Sequence, residues 1–122
     1  MKKTILICGD RHWDDKEYIR RVIHDHNPDE VIVGDGSGAD VLARQCCLED
    51  RVTVTVYEAF WAKFGNAAGP IRNRHMLDMK PDLVIAFHDD LSSSKGTWDT
   101  ICEAKRRKIP FLVVSHGYQR SI

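Results

Sequence analysis

The chain has 122 residues, 43% of them hydrophobic, which is enough for one domain with a real core and too little for a second. Eighteen Lys and Arg balance eighteen Asp and Glu, so no basic field exists to draw in nucleic acid or acidic lipid, and a small ligand fits better than a long polyanion. The opening MKKTILICGD is too short in apolar residues for a signal peptide or membrane span, and the four cysteines lie in apolar runs without CxxC spacing, so they read as reduced core thiols of a cytoplasmic protein.

The first apolar run, TILIC at 4–8, is a strand that ends in GDRHWD. Asp14 followed by Glu17 predicts a capping box opening a helix to about His26. VIV at 31–33 runs into GDGSGAD and a helix from about Gly38 to Leu48. VTVTVY at 52–57 leads into EAFWAKFGNAAGPIRN, where Pro70 suits the first turn of a helix to about Met79. DLVIAF at 82–87 is followed by HDDLSSSKGTWD and a helix from about Thr97 to Lys108, and FLVV at 111–114 is the last strand. Short β-branched runs alternating with helices of about ten residues predict a three-layer, doubly wound α/β fold. The sheet is expected to be five-stranded and parallel, in order 3-2-1-4-5, with helices on both faces and ligands in the crevice beyond the strand C-termini. The loops at that edge carry the chemistry, whereas HNPDE, LEDR, MKP and KIP at the other edge read as plain turns.

In GDGSGAD, Gly34, Gly36 and Gly38 permit close backbone approach and the helix that follows offers free N–H groups to an anion. Asp35 and Asp40 suit hydroxyls better than phosphate. The string also satisfies GxGxxA, with Glu58 placed to hold a ribose, which keeps a dehydrogenase reading open. In GPIRNRH, Arg72 and Arg74 fall in the first turns of a helix, where the dipole disfavours cations, so a negative group should offset them; Arg72, beside Asn73, is the better phosphate fork. SSSKGTWDT makes a second anion cradle from Ser94, Lys95, Gly96 and Thr97, with Ser94 or Thr97 also capping the helix. Asp10 and Arg11 enter the crevice where the strand order reverses, and Trp13, Phe60, Trp61, Phe64 and Trp98 crowd the same edge, each taken singly reading as core before ligand platform but five together offering stacking candidates. His88, Asp89 and Asp90 form either a divalent-ion site or, more in keeping with the composition, an exposed polar turn.

Taken together, GDRHW, GDGSGAD, AFWAKFGNAAGPIRNRHM, PDLVIAFHDDLSSSKGTWDTI and the final IPFLVV resemble the SLOG superfamily, and among its members the small stand-alone YspA-like (YAcAr) branch of bacteria and their phages. The resemblance covers nearly the whole chain. It implies a Rossmann-like fold and a nucleotide or nucleotide-derived ligand held by Gly9, Asp10, Arg11, Gly34, Gly36, Gly38, Asp40, Trp61, Gly69, Arg72, Asn73, Ser94, Gly96 and Thr97. Asp35, Ser37 and Lys95 join this ligand-binding set from the loops they stand in, and no metal or other cofactor is expected. LOG phosphoribohydrolases of that superfamily release a base from a nucleoside monophosphate with an arginine and the glutamate of PGGxGTxxE. Arg72 is similar to that arginine, but the glutamate position falls on Thr100, and Asp99 beside it is expected to face about 100° away on a helix.

Two function classes follow. One is a module that senses or sequesters a nucleotide without turnover. The other is a metal-independent N-glycosidase with Arg72, Asp40 and Asp10 as its candidate catalytic residues. The resemblance also suggests a homodimer, since relatives often pair through helices; association with nucleic acid is disfavoured by charge, although the DNA-processing DprA proteins share the superfamily.

Overall fold

Five parallel strands in the order 3-2-1-4-5, wrapped by helices, carry the crevice at their C-terminal ends. The computed structural model describes residues 2–116 and 118–120. Its elements are β1 (Thr4–Gly9), α1 (Lys16–His26), β2 (Glu30–Gly34), α2 (Ala39–Glu49), β3 (Thr53–Tyr57), a short α3 (Trp61–Phe64), α4 (Ala68–Asp78), β4 (Leu83–Phe87), α5 (Lys95–Arg106), β5 (Phe111–Ser115) and β6 (Tyr118–Arg120). The strand β6, which the sequence reading did not include, pairs antiparallel with β5 in the register Val113↔Arg120. Three residues without apolar alternation carry no strand signal of their own; what forms β6 is the free edge of β5, which another strand can pair with.

Along each central strand the side chains alternate between two cores, because successive residues point to opposite faces. Ile5, Ile7, Val31, Val33, Ile85 and Phe87 pack with Ile19, Val22 and Ile23 of α1 and Ala43, Cys46 and Cys47 of α2. Leu6, Cys8, Ile32, Val84 and Ala86 pack with Met76 and Leu77 of α4 and Ile101 and Ala104 of α5. Both faces are thus dry, which is why these strands read as continuous apolar runs rather than alternating ones. Each fully buried Ile, Leu or Val contributes roughly 1.5–3 kcal/mol of transfer free energy.

The helix starts differ from expectation by one or two residues, α5 beginning at Lys95 rather than about Thr97. Asp15, not Asp14, caps α1, its Oδ1 accepting from the N–H of Tyr18 at 3.1 Å, so Glu17 falls in the first turn rather than completing a capping box. Ser94 caps α5 through the N–H of Thr97 at 3.3 Å. Cys8, Cys46 and Cys47 are core thiols, but Cys102 lies on the outer face of α5 and is exposed, since its neighbour Ile101 takes the inward position. No helix among the described residues is long and apolar enough to cross a membrane.

Candidate functional site

The strand order reverses between β1 and β4, because β1 continues to β2 on one side and is met by β4 on the other. Here the chain must pass close to its neighbour. A Cβ on Gly9 would lie 2.3 Å from the carbonyl oxygen of Phe87, and the N–H of Asp10 donates to that oxygen at 2.8 Å. A crevice of about 940 Å³ opens above this point. Its walls include Gly9, Asp10, Arg11, Gly36, Ser37, Asp40, Trp61, Gly69, Arg72, Asn73, Ser94, Lys95, Gly96 and Thr97, all of them residues singled out from the sequence. A smaller hollow of about 350 Å³ adjoins it, lined by Ser92, Ser94, Lys95 and Trp98.

Gly34, Asp35 and Gly38 were expected among the lining residues but are not among them, Gly34 being buried and Asp35 exposed beside the crevice. Gly38 starts α2 with φ of +66°, and a Cβ there would fall 2.4 Å from the carbonyls of Asp10 and Arg11. Gly34 is buried against the side chains of Arg72 and Asp40, each 2.9 Å from where its Cβ would be. The carbonyl of Asp10 accepts from the N–H groups of both Trp13 and Ala39, at 3.1 Å each, and Ser37 Oγ donates to the carbonyl of Arg11 at 3.2 Å. These bonds join the β1 and β2 loops into one unit. They also change the chemistry at the start of α2. One of its first N–H groups is taken by the Asp10 carbonyl, and Asp40 places a carboxylate in its first turn, which makes this terminus less favourable to an anion than its backbone alone would be.

Arg72 Nη1 donates to Asp35 Oδ1 at 2.7 Å, and its Nε donates to Asn73 Oδ1 at 3.3 Å. The negative group that offsets a cation in the first turns of α4 is therefore Asp35. Asp40 lies beside the same guanidinium and accepts from the N–H of Gly36 through Oδ2 at 3.0 Å. Burial pushes the Asp40 carboxyl up from 3.8 to about 6; Arg72 and the Gly36 N–H pull it back down, and Asp35 adds a further upward push. The result is a carboxyl on the crevice wall held above the usual carboxylate range.

Asn73 is buried and has a polar partner on each side. Its Nδ2 donates to Asp99 Oδ2 at 3.2 Å and to the carbonyl of Gly96 at 3.5 Å, while its Oδ1 accepts from Arg72. One amide thus ties the α4 arginine to the first turn of α5. Asp99, set aside on helical phase, lines the crevice together with Thr100, whose Oγ1 donates back to the carbonyl of Gly96 at 3.2 Å. The phase argument failed because α5 enters with its terminus over the crevice, so positions about 100° apart both border it. The buried Thr100 is tied to its own helix, leaving Asp99 as the carboxylate on this wall.

The first turn of α5 keeps N–H groups that no acceptor of the helix uses. Ser94 supplies the cap, the N–H groups of Lys95 and Gly96 have no acceptor within the helix, and Lys95 borders both hollows. His88, at the end of β4, was read with Asp89 and Asp90 as an exposed turn. It is instead buried, lines the crevice, and accepts the N–H of Asp90 on Nδ1 at 3.0 Å, which puts its proton on Nε2. Asp89 turns outward to His116 at 2.7 Å. A buried histidine directly after an apolar strand was the signal available for it.

The aromatic candidates separate. Trp13 is 5% exposed, stacks on the His116 ring at 4.4 Å and donates from Nε1 to the carbonyl of Asp15, so it is core and not a ligand platform. Trp61 is 56% exposed and borders the crevice, its ring lying over Gly69, where a Cβ would come within 3.2 Å of it. Phe60 and Phe64 are exposed beside it, and Trp98 is exposed beside Lys95 at the smaller hollow.

No protein-family model and no curated protein matches the chain. Among solved structures, the X-ray structure of DNA processing protein A (DprA) from Streptococcus pneumoniae is similar with a TM-score of 0.75 at 15% sequence identity. The alignment covers 92% of this chain and 50% of that one, so the chain spans about half the length of that protein. At this identity what the two share is the fold: the doubly wound sheet with its reversal of strand order.

Proposed function

We propose that the crevice binds a nucleotide or nucleotide-derived small molecule and that the protein acts as a sensor or sequestering module. The observation that carries this reading is the pairing, within one cavity of about 940 Å³, of an anion cradle at Ser94–Thr97 with hydroxyl-seeking carboxylates at Asp10, Asp40 and Asp99. The size lies toward the upper end of the ~300–1,000 Å³ of small-molecule clefts. A phosphate on the α5 terminus and Lys95, sugar hydroxyls on the carboxylates and a base against Trp61 use each group for what its charge suits. Arg72 enters this scheme as a second anion contact, already shared with Asp35.

The fold common to this chain and DprA supports a place in the SLOG superfamily; the YspA-like branch rests on residues alone. DprA is a DNA processing protein, whereas 18 cations against 18 anions favour a small ligand here. A cytoplasmic location and a homodimer belong to the same proposal.

A second reading, an N-glycosidase, is favoured by one observation. Asp99 is held by Asn73, the residue that also holds Arg72, and Asp40 with a pKa of about 6 faces the same space, so carboxylates suited to general acid or base work are present without a glutamate at position 100. A proton NMR time course with nucleoside monophosphates, NAD and ADP-ribose separates the readings. Ligand line broadening without new signals is expected, and it should weaken about tenfold in Lys95→Ala. Free base with new anomeric signals would establish the glycosidase, and no broadening with any of these ligands at millimolar concentration would refute the pocket.

A further inference from the structure

Asp35 holds two things at once. Its Oδ1 accepts from Arg72 Nη1 at 2.7 Å, and its Oδ2 accepts from the backbone N–H of Ala59 at 3.2 Å. The first partner borders the crevice; the second stands just ahead of α3, whose Trp61 also borders it. From Phe60 to Ala67 every residue is exposed, including the rings of Phe60 and Phe64, so the bond at Ala59 is among the few that fix this segment.

Resting on the reading that the crevice takes a phosphorylated ligand, we infer that Asp35 is an internal occupant of the Arg72 fork. An anionic ligand displaces it, and its departure frees the segment that begins at Ala59. Arg72 is flanked by the carboxylates of Asp35 and Asp40, so a third anion meets like charge there and is accommodated best when one of them leaves. Asp40 is fixed by α2 and by the Gly36 N–H, whereas Asp35 sits between Gly34 and Gly36, outside any helix, with 32% of its side chain exposed. Asp35 is therefore the group that can swing out. A ligand without a negative group has nothing to offer the guanidinium in exchange, so Asp35 selects for charge as well as reporting it to Trp61.

The test uses the full chain and its Asp35→Asn variant, titrated with inorganic phosphate, adenosine 5′-monophosphate and uncharged adenosine, with amide hydrogen exchange read at Ala59. The asparagine keeps shape and an acceptor but loses the competing charge. Phosphate and the monophosphate should bind the variant about tenfold more tightly than the native chain. In the native chain either anion should accelerate exchange at Ala59, and adenosine should not. Native binding with no gain in the variant, or with Ala59 unmoved by the anions, overturns the role of Asp35 and leaves the pocket standing. Failure of both proteins to bind either anion overturns the pocket and the inference together.

Discussion

Replacing Asp40 by Asn should stabilise the protein at neutral pH while weakening ligand binding. Burial raises this carboxyl from 3.8 to about 6, so its ionised form is less favourable folded than unfolded. For a group whose folded pKa is raised, stability is fully present below the unfolded value and is lost as the pH rises through the folded one. At about 1.4 kcal/mol per pH unit, the interval corresponds to roughly 3 kcal/mol at pH 7 and above. Asparagine keeps the shape and the oxygen that accepts from Gly36, but it is itself a polar group to desolvate, which lowers the expected gain to about 1–2 kcal/mol. Urea unfolding of both proteins between pH 4 and pH 8 isolates the term, because carboxylates that do not interact with Asp40 cancel in the difference. The variant's advantage should be near zero at pH 4, grow through pH 6 and level off by pH 7. An advantage that does not change with pH, or a variant less stable than the native chain at pH 8, would refute the assignment of Asp40 as a carboxylate ionised at the expense of stability.

Gly38→Ala should cost at least ~2 kcal/mol in thermal or urea unfolding, since it places a Cβ 2.4 Å from two carbonyls at a φ of +66°; a near-neutral result would mean the two loops are not joined as described. Asn73→Ala should destabilise by about 1–3 kcal/mol and weaken phosphate binding, because it leaves Asp99 and Arg72 Nε without their shared amide; isothermal titration beside chemical unfolding checks both effects. His116 donates its backbone N–H and one ring nitrogen to Asp89 and places the other ring nitrogen 3.0 Å from Asp15, and the Asp89 contact raises its pKa above 6.5. The stability difference between the native chain and His116→Gln should therefore be largest below pH 6.5 and shrink as the pH rises through the raised value, with a flat difference counting against the clamp.

The sheet was legible because burial on both faces writes apolar runs that need no periodicity, and the crevice was legible because a doubly wound order confines chemistry to one sheet edge. Pairings within the crevice were not. Nothing local says that Asp35 meets Arg72, since 37 positions separate them and only the crossover to α4 brings them together. That pairing also accounts for the negative partner which the sequence demanded for Arg72 and which a bound phosphate was expected to supply. Asp99 was misplaced, and Trp13 left open between core and stacking platform, for related reasons. The first depends on the angle at which α5 enters the crevice, and the second on His116, more than a hundred residues away, which lies flat against the indole. Residue type marked the crevice, while long-range geometry decided which groups in it are free.

The distribution of thiols has a practical consequence. Cys8, Cys46 and Cys47 are buried, and burial pushes all three thiols up, Cys47 to about 12, so they stay protonated and out of reach of alkylating reagents. Cys102 alone among the cysteines is exposed, on the helix whose first turn forms one wall of the crevice. A maleimide dye or spin label should therefore attach at one position in the unaltered chain. The protein carries its own reporter handle, two turns from the place where a ligand would dock, with no need to remove any other cysteine first.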